Sequence, residues 1–283
     1  MSLERMDTLL IAARKNRYAV AAFECWNSAN IYAIAEGAAQ TDMPVIFQAS
    51  HAEYTIMGGA DALFDIVSFY IRKKNITAAL HLDHGISLEQ VEECAKAGFS
   101  SVMLDASRLS FEENIKLSKQ AAEIANEYKI SIECELGHVA GAEGGMDDID
   151  ETECCMTDPE KAEIFVKKTN ADCLAVAIGT VHGDYRSKPN IDLKLLEQIS
   201  DIIEVPLVLH GGSGTPPKTL KECINRGIAK INICTDIHKI WLDGIEKAKT
   251  TLTPSVPGKF YQPAQEMLVQ AVTQKIELFK NER

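Results

Sequence analysis

Long apolar runs are missing from this chain, and with them any segment able to cross a bilayer as a helix, which takes about 20 consecutive apolar residues. Basic charge is also scarce: 29 Lys and Arg stand against 41 Asp and Glu, a formal net charge of −12. That balance disfavours nucleic acid and anionic membrane as partners, because both are bound through basic patches. It leaves room for a phosphorylated ligand, which needs only a local cradle. Cysteine occurs eight times but never in the CxxC spacing of a thiolate metal site or a redox pair. Cys25, Cys134, Cys173 and Cys234 fall in apolar, strand-like runs and read as reduced, buried thiols. No Pro-, Gly- or Ser-rich linker divides the 283 residues, so one domain over 1–283 is the economical reading. The N-terminal stretch MSLERMDTLLIAARKNRY carries charges among its apolar positions, which suits an amphipathic helix better than a signal peptide. A cytoplasmic location is expected.

What is present is an alternation. Short β-branched runs predict strands at 18–25, 44–50, 77–83, 101–106, 131–137, 173–179, 206–211 and 228–234. Amphipathic segments lie between them, such as 87–97, which opens on Ser87 with Glu89 in its first turn, and 111–128. Eight apolar strands buried on both faces, each followed by a helix, are the pattern of a closed parallel (β/α)8 TIM barrel. A doubly wound open α/β sheet is the alternative. Two stretches are long for barrel loops, 138–157 and 180–190, and loops of that length usually carry function.

The histidines fall in telling places. His51, His84, His138, His182 and His210 each sit at or just beyond the C-terminal end of a predicted strand, whereas His81 lies within a strand and His238 in a helix. In a parallel barrel those strand ends open on one face, the face that holds active sites. Three neutral imidazoles with an open fourth position make a catalytic zinc site. His84, His182 and His210 are the first choice, the latter two because each is followed by a glycine that lets the backbone approach a ligand. His51 and His138 are left for substrate contact or for solvent. Along the third strand, alternation sets His81 and Asp83 on one face, with His84 at the turn.

Loops after strands 7 and 8, closed by helix N-termini, are the usual phosphate cradle of such barrels. HGGSGTPP (210–217) and NICTDIHK (232–239) occupy those two places. Backbone donors near Gly183, Gly211, Gly212 and Ser213, with Thr235, predict a phosphorylated ligand.

Taken in order, ITAALHLDHG, SVMLDASRLSFEENI, IECELGHVAGAE, AVAIGTVHGDY, PLVLHGGSG and KINICTD resemble the signature blocks of the class II, zinc-dependent ketose-bisphosphate aldolases. That group includes the fructose-1,6-bisphosphate and tagatose-1,6-bisphosphate enzymes, and the resemblance runs over nearly the whole chain. It implies Zn²⁺ on His84, His182 and His210, with Glu135 able to complete the metal shell as in some members. Asp83 corresponds to the acid/base on the substrate hydroxyl, and Glu143 to the group that moves the proton at the dihydroxyacetone-phosphate carbon. Asp105 and Glu133 match carboxylates near the metal region, candidates for a second site. Gly183, Gly211, Ser213, Asn232 and Thr235 match the cradle of the ketose C1 phosphate, and Ser50 and Arg186 join the candidate substrate contacts. A monovalent cation, Na⁺ or K⁺, and a homodimer or homotetramer complete the expectation.

The pattern departs from the family at one end. In SVPGKFYQPA (255–264), Gly258 stands where an arginine for the distal phosphate is expected, followed by Lys259, which lacks the bidentate fork. Arg108 replaces a common histidine and Cys234 a common aspartate. Arg108, Lys259, His51 and Gln48 are therefore candidates for reading a different distal group. The leading expectation is reversible cleavage of a ketose (bis)phosphate to dihydroxyacetone phosphate and an aldehyde, by default glyceraldehyde 3-phosphate. The alternative within the same mechanism is a different, non-phosphorylated aldehyde. More distant are a metal-dependent hydrolase, which wants an HxH on the first strand where AAFECWN has none, and a non-catalytic binding or scaffold subunit. A Schiff-base aldolase would need Lys230, which falls early in strand 8.

Overall fold

The computed structural model describes residues 2–141, 155–183, 185, 189–251 and 256–281. Among them, helix α1 (Met6–Asn16) leads into strand β1 (Val20–Glu24), helix α2 (Ser28–Thr41) and strand β2 (Val45–Ala49). Two helices follow, α3 (His51–Ile56) and α4 (Ala60–Lys74), then β3 (Ala78–Gly85), α5 (Leu88–Ala97), β4 (Ser101–Leu104) and α6 (Phe111–Glu127). The second half runs β5 (Ser131–Leu136), α7 (Pro159–Thr169), β6 (Cys173–Val176), α8 (Leu193–Ile202), β7 (Leu207–Leu209) and α9 (Pro217–Asn225). It ends with β8 (Ile228–Ile233), α10 (Thr235–Thr251), a 3₁₀ turn (Pro257–Tyr261) and α11 (Gln262–Phe279). The parallel strands close in sequence order, with β1 paired to β8. That pairing makes the fold a (β/α)8 TIM barrel and excludes the open doubly wound sheet. No helix among the described residues is long and apolar enough to cross a membrane.

Every residue of every strand is buried. One face packs on the helices and the other fills the barrel, which is why the sequence shows apolar runs instead of alternation. Helix α1 plugs the floor: Met6, Leu9, Leu10 and Ala13 pack on Val20, Ala22, Ile46, Ala79, Ala175 and Val208 from inside the strands. Register then carries the interior face upward. Ala22 pairs with Ile46 and Asn232, Glu24 with Gln48, and Gln48 with His81. The lower interior is therefore apolar, and the upper interior holds Glu24, Gln48, His81, Asp83, Glu133, Glu135 and Asn232, all buried.

Helix signals in the sequence have local causes here. Ser87 caps α5 by accepting from Gln90 N at 3.3 Å, and Ser110 with Glu113 forms a reciprocal capping box at α6. Each such cap is worth about 1 kcal/mol. The strand ends differ from expectation by one to three residues. Strand β3 runs on to Gly85, because a register shift against β4 falls between Leu82 and Gly85 and His84 adopts a left-handed φ of +46°. Gly85 is required there: a Cβ would lie 2.5 Å from the Met103 carbonyl oxygen. Strand β7 stops at Leu209, short of the expected 211, and Gly211 at φ +66° turns the chain where a Cβ would meet Val181 O at 2.3 Å.

Candidate active site

The bulge in β3 sets the site's first feature. Strict alternation would send Asp83 and His84 to opposite faces, but the left-handed residue at position 84 brings both to the barrel mouth. There the rings of His84 and His210 lie 4.7 Å apart, His84 and His182 5.1 Å, and His182 and His210 5.7 Å between centroids. One nitrogen from each of the three falls within 4.8 Å of the others. His84 and His210 are aimed by carboxylates: His84 Nδ1 is 2.9 Å from Asp105 Oδ2, and His210 Nε2 is 2.8 Å from Glu133 Oε1.

Those carboxylates are held ionised. Burial works to raise Asp105, yet the hydrogen bond and charge of His84, with the Ser107 donors, outweigh it and leave the carboxyl well below its usual range. Glu133 is likewise raised by burial but pulled far lower by Lys230, His210 and His81. An ionised carboxylate only accepts, so each histidine turns an N–H outward and leaves its other ring nitrogen facing inward. His84 Nε2 and His210 Nδ1 consequently face each other at 2.9 Å. The two inner nitrogens are close enough to share a proton or, together with a His182 nitrogen, to ligate one cation. The donor set and its backing carboxylates thus fit a divalent metal.

Glu133 departs from the expected second metal site. Its oxygens are taken by His210 and by Lys230 Nζ at 2.8 Å, deep in the barrel. The second group that the structure brings together is His84, Asp105 and Glu135. Burial and the charge of Asp105 push Glu135 well above the ordinary carboxylate range, while Glu135 Oε1 accepts from Val139 N at 3.2 Å. Lys230 is kept protonated: burial opposes its charge, but Glu133 and Asp83 raise it overall. A Schiff base needs the neutral amine, so this lysine serves as a counter-ion. His81 is neutral, driven well down by burial and then by Lys230, with Nδ1 2.9 Å from Ser101 Oγ.

Asp83 is held from two sides. Gln48 Nε2 donates to Oδ2 at 2.6 Å, and Asn232 Nδ2 lies 3.2 and 3.4 Å from the two oxygens. Gln48 is therefore fully buried beside this carboxylate. The loops after β7 and β8 do meet. Ser213 Oγ accepts from Cys234 N at 3.2 Å and Asp236 N at 3.1 Å, and Gly212 N donates to Asn232 O at 3.1 Å. Thr235 opens α10 directly above, and Gly183 at φ +83° has open space where a Cβ would stand. Anionic groups suit such a helix start.

Other expected residues lie elsewhere. His51 is exposed at the start of α3, edge-on to Tyr54, and His138 Nδ1 pairs with Ser107 Oγ at 3.1 Å. Ser50 caps α3 in a box with Glu53. Arg108 and Lys259 are exposed. Glu143 and Arg186 fall outside the described residues. Sequence reasoning passed over Glu24, which ends β1 buried and bonded to His238 Nε2 at 2.9 Å, with Trp26 edge-on to that imidazole at 4.8 Å. The signal was a charged residue two positions beyond Ala22, on the interior face of a strand.

The family model described as class-II fructose-bisphosphate aldolase matches residues 4–283. The fructose-bisphosphate aldolase of Staphylococcus aureus is 38% identical over 99% of this chain and 98% of its own length. That of Geobacillus stearothermophilus is 36% identical over 99% and 97%. Among solved structures, the YdjI aldolase from Escherichia coli K12 superposes with a TM-score of 0.87 at 29% identity, covering 98% of this chain and 97% of that one. A putative fructose-1,6-bisphosphate aldolase from Coccidioides immitis gives 0.88 at 28%, covering 98% and 96%.

Proposed function

The chain belongs to the class-II fructose-bisphosphate aldolase family, whose members are carbon–carbon lyases using a divalent metal, and from that premise we propose reversible cleavage of a phosphorylated ketose between C3 and C4. The products are dihydroxyacetone phosphate and an aldehyde. Fructose 1,6-bisphosphate and tagatose 1,6-bisphosphate are the reference substrates, with glyceraldehyde 3-phosphate as the aldehyde they share. The observation that carries the reading is the convergence of His84, His182 and His210 beside the doubly held carboxylate of Asp83.

Three neutral imidazoles with an open position are the donor set of catalytic zinc, which is our assignment for the ion. Held by His84, His210 and His182, the metal would supply Lewis-acid stabilisation of the negative charge that develops beside the ketose carbonyl. Asp83 takes the proton of the C4 hydroxyl as the C3–C4 bond breaks, the bonding pair stays with C3, and C4 becomes the aldehyde carbon. Gln48 and Asn232 keep that carboxylate aimed, since both give it N–H donors. A positioned base of this kind contributes about 10²–10⁴-fold. Glu143 is assigned the proton delivered to C3 of the three-carbon product. The cradle of Gly183, Gly211, Gly212, Ser213 and Thr235 is assigned the C1 phosphate, with Ser50, Arg186, Arg108 and Lys259 as outer substrate contacts.

In the same reading a monovalent cation, Na⁺ or K⁺, is an accessory ion, and Asp105 with Glu135 forms a second cation group beside His84. The enzyme works in the cytoplasm as a homodimer or homotetramer, a state that sedimentation measures. Chelation tests the central reading. Removing the metal should abolish aldol cleavage and Zn²⁺ should restore it. Full activity in chelator, with borohydride trapping substrate on a lysine, would replace it with a Schiff-base mechanism.

A further inference from the structure

Asp83 leans across the mouth toward one quarter of the barrel. It accepts from Gln48 on β2 and from Asn232 on β8, and β1 lies between those two strands. Among the described residues, the histidine centre and cradle take β3 and the ends of β6 to β8, while Asp105 and Glu135 lie beside His84 after β4 and on β5. The substrate carbon whose hydroxyl meets Asp83 becomes the aldehyde. The chain beyond that carbon therefore runs over β1 and β2.

The groups there are unsuited to a second phosphate. Val20 and Ala22 face the interior floor, so alternation turns Glu24 inward at the top of β1, in register with Gln48. Its carboxylate binds His238, and its charge reaches Glu53, which burial and Glu24 together raise above the ordinary range. A second observation points to a ligand. Gln48 is fully buried, yet its Oε1 has no hydrogen-bond partner. The amide cannot be turned round, because Nε2 must face the acceptor-only carboxylate of Asp83. Among the described residues, no donor meets Gln48 Oε1. Phosphate brings acceptors and negative charge, whereas hydroxyl groups bring donors, and Trp26 offers an apolar ring beside them.

Resting on the aldolase reading above, we infer that Glu24, Gln48 and Trp26 form the aldehyde subsite and select a neutral polyhydroxylated aldehyde over a phosphorylated one. Glu24 is the specificity-determining residue: it accepts from substrate hydroxyls and repels a distal phosphate.

The test is aldol addition of dihydroxyacetone phosphate to D-glyceraldehyde and to D-glyceraldehyde 3-phosphate by the zinc-loaded protein. Like-charge opposition at a contact of this kind supports a preference of about tenfold or more in kcat/KM for the neutral aldehyde. In Glu24→Gln the ratio should move at least about tenfold toward the phosphorylated aldehyde, through its KM. A wild-type preference for the phosphorylated aldehyde overturns the inference, as does an unchanged ratio in a Glu24→Gln protein with native circular dichroism. The wild-type ratio stands whether or not the variant folds. Solvent exchange of the carbon-bound proton of dihydroxyacetone phosphate, followed by NMR without any aldehyde, separates the two levels. No exchange sinks the aldolase reading and this inference with it, whereas exchange with a preference for the phosphorylated aldehyde sinks this inference alone.

Discussion

His84 Nε2 and His210 Nδ1 face each other at 2.9 Å across the barrel mouth, while their outer nitrogens are bonded to Asp105 and Glu133. With both outer nitrogens on carboxylates, the inner pair is left to share a proton or, with His182, a metal ion. The carboxylates behind the rings are as much a part of the site as the rings themselves.

That arrangement makes Asp105 measurable. Asp105→Asn removes the charge that fixes the His84 tautomer, and outer partners of metal-bound histidines are worth about 10–100-fold in affinity or activity. Competition against a zinc chelator should show a loss of that size. An affinity equal to wild type would mean that His84 is oriented by something else.

Asp83→Ala separates chemistry from metal binding. The variant should keep one zinc per chain by elemental analysis and lose about 10²–10⁴-fold in kcat. Near-normal turnover would remove Asp83 from the proton transfer.

Lys230 and Glu133 are both fully buried and paired at 2.8 Å. Breaking such a pair from one side strands a charge and costs about 3–5 kcal/mol. Lys230→Met should therefore be strongly destabilised in denaturant melts, and adding Glu133→Leu should recover much of the loss in the same metal-free comparison. A Lys230→Met protein as stable as wild type would contradict the pairing.

His81 gives the sign of one pH effect. Its folded pKa is driven well down by burial and by Lys230, so below the unfolded value of about 6.5 the unfolded chain binds a proton that the folded one refuses. Stability from this group is fully present above that value and falls as pH drops below it. The slope approaches about 1.4 kcal/mol per pH unit for one proton. The His81→Asn protein should show a flatter decline between pH 6.5 and pH 5, about one to two units below the unfolded histidine value. Parallel declines would mean that His81 takes up its proton when folded.

Much of this architecture was legible in the chain. Eight apolar runs separated by amphipathic segments specify a barrel because a strand buried on both faces has to be apolar throughout, and its interior polar residues then stand out at the C-terminal ends. His84, His182 and His210 were readable on those grounds. The proximity of Asp83 to His84 was not, since period-two alternation separates neighbours and only the left-handed turn at His84 reunites them. Glu133 looked like a metal ligand because its partner, Lys230, is 97 residues away in sequence. The bond from Gln48 to Asp83 was not legible either, since a glutamine in a strand carries no sign of the carboxylate it meets on the neighbouring strand. Glu24 escaped notice for a similar reason: its partner His238 comes from a helix that no local pattern ties to β1.

Anomalous diffraction at the zinc edge from crystals of the zinc-loaded protein tests the central claim most directly. A peak is expected about 2.0–2.1 Å from His84 Nε2, from His210 Nδ1 and from a ring nitrogen of His182, next to the carboxylate of Asp83. A zinc-loaded crystal with no peak among those three rings, or with its zinc bound elsewhere, would contradict it.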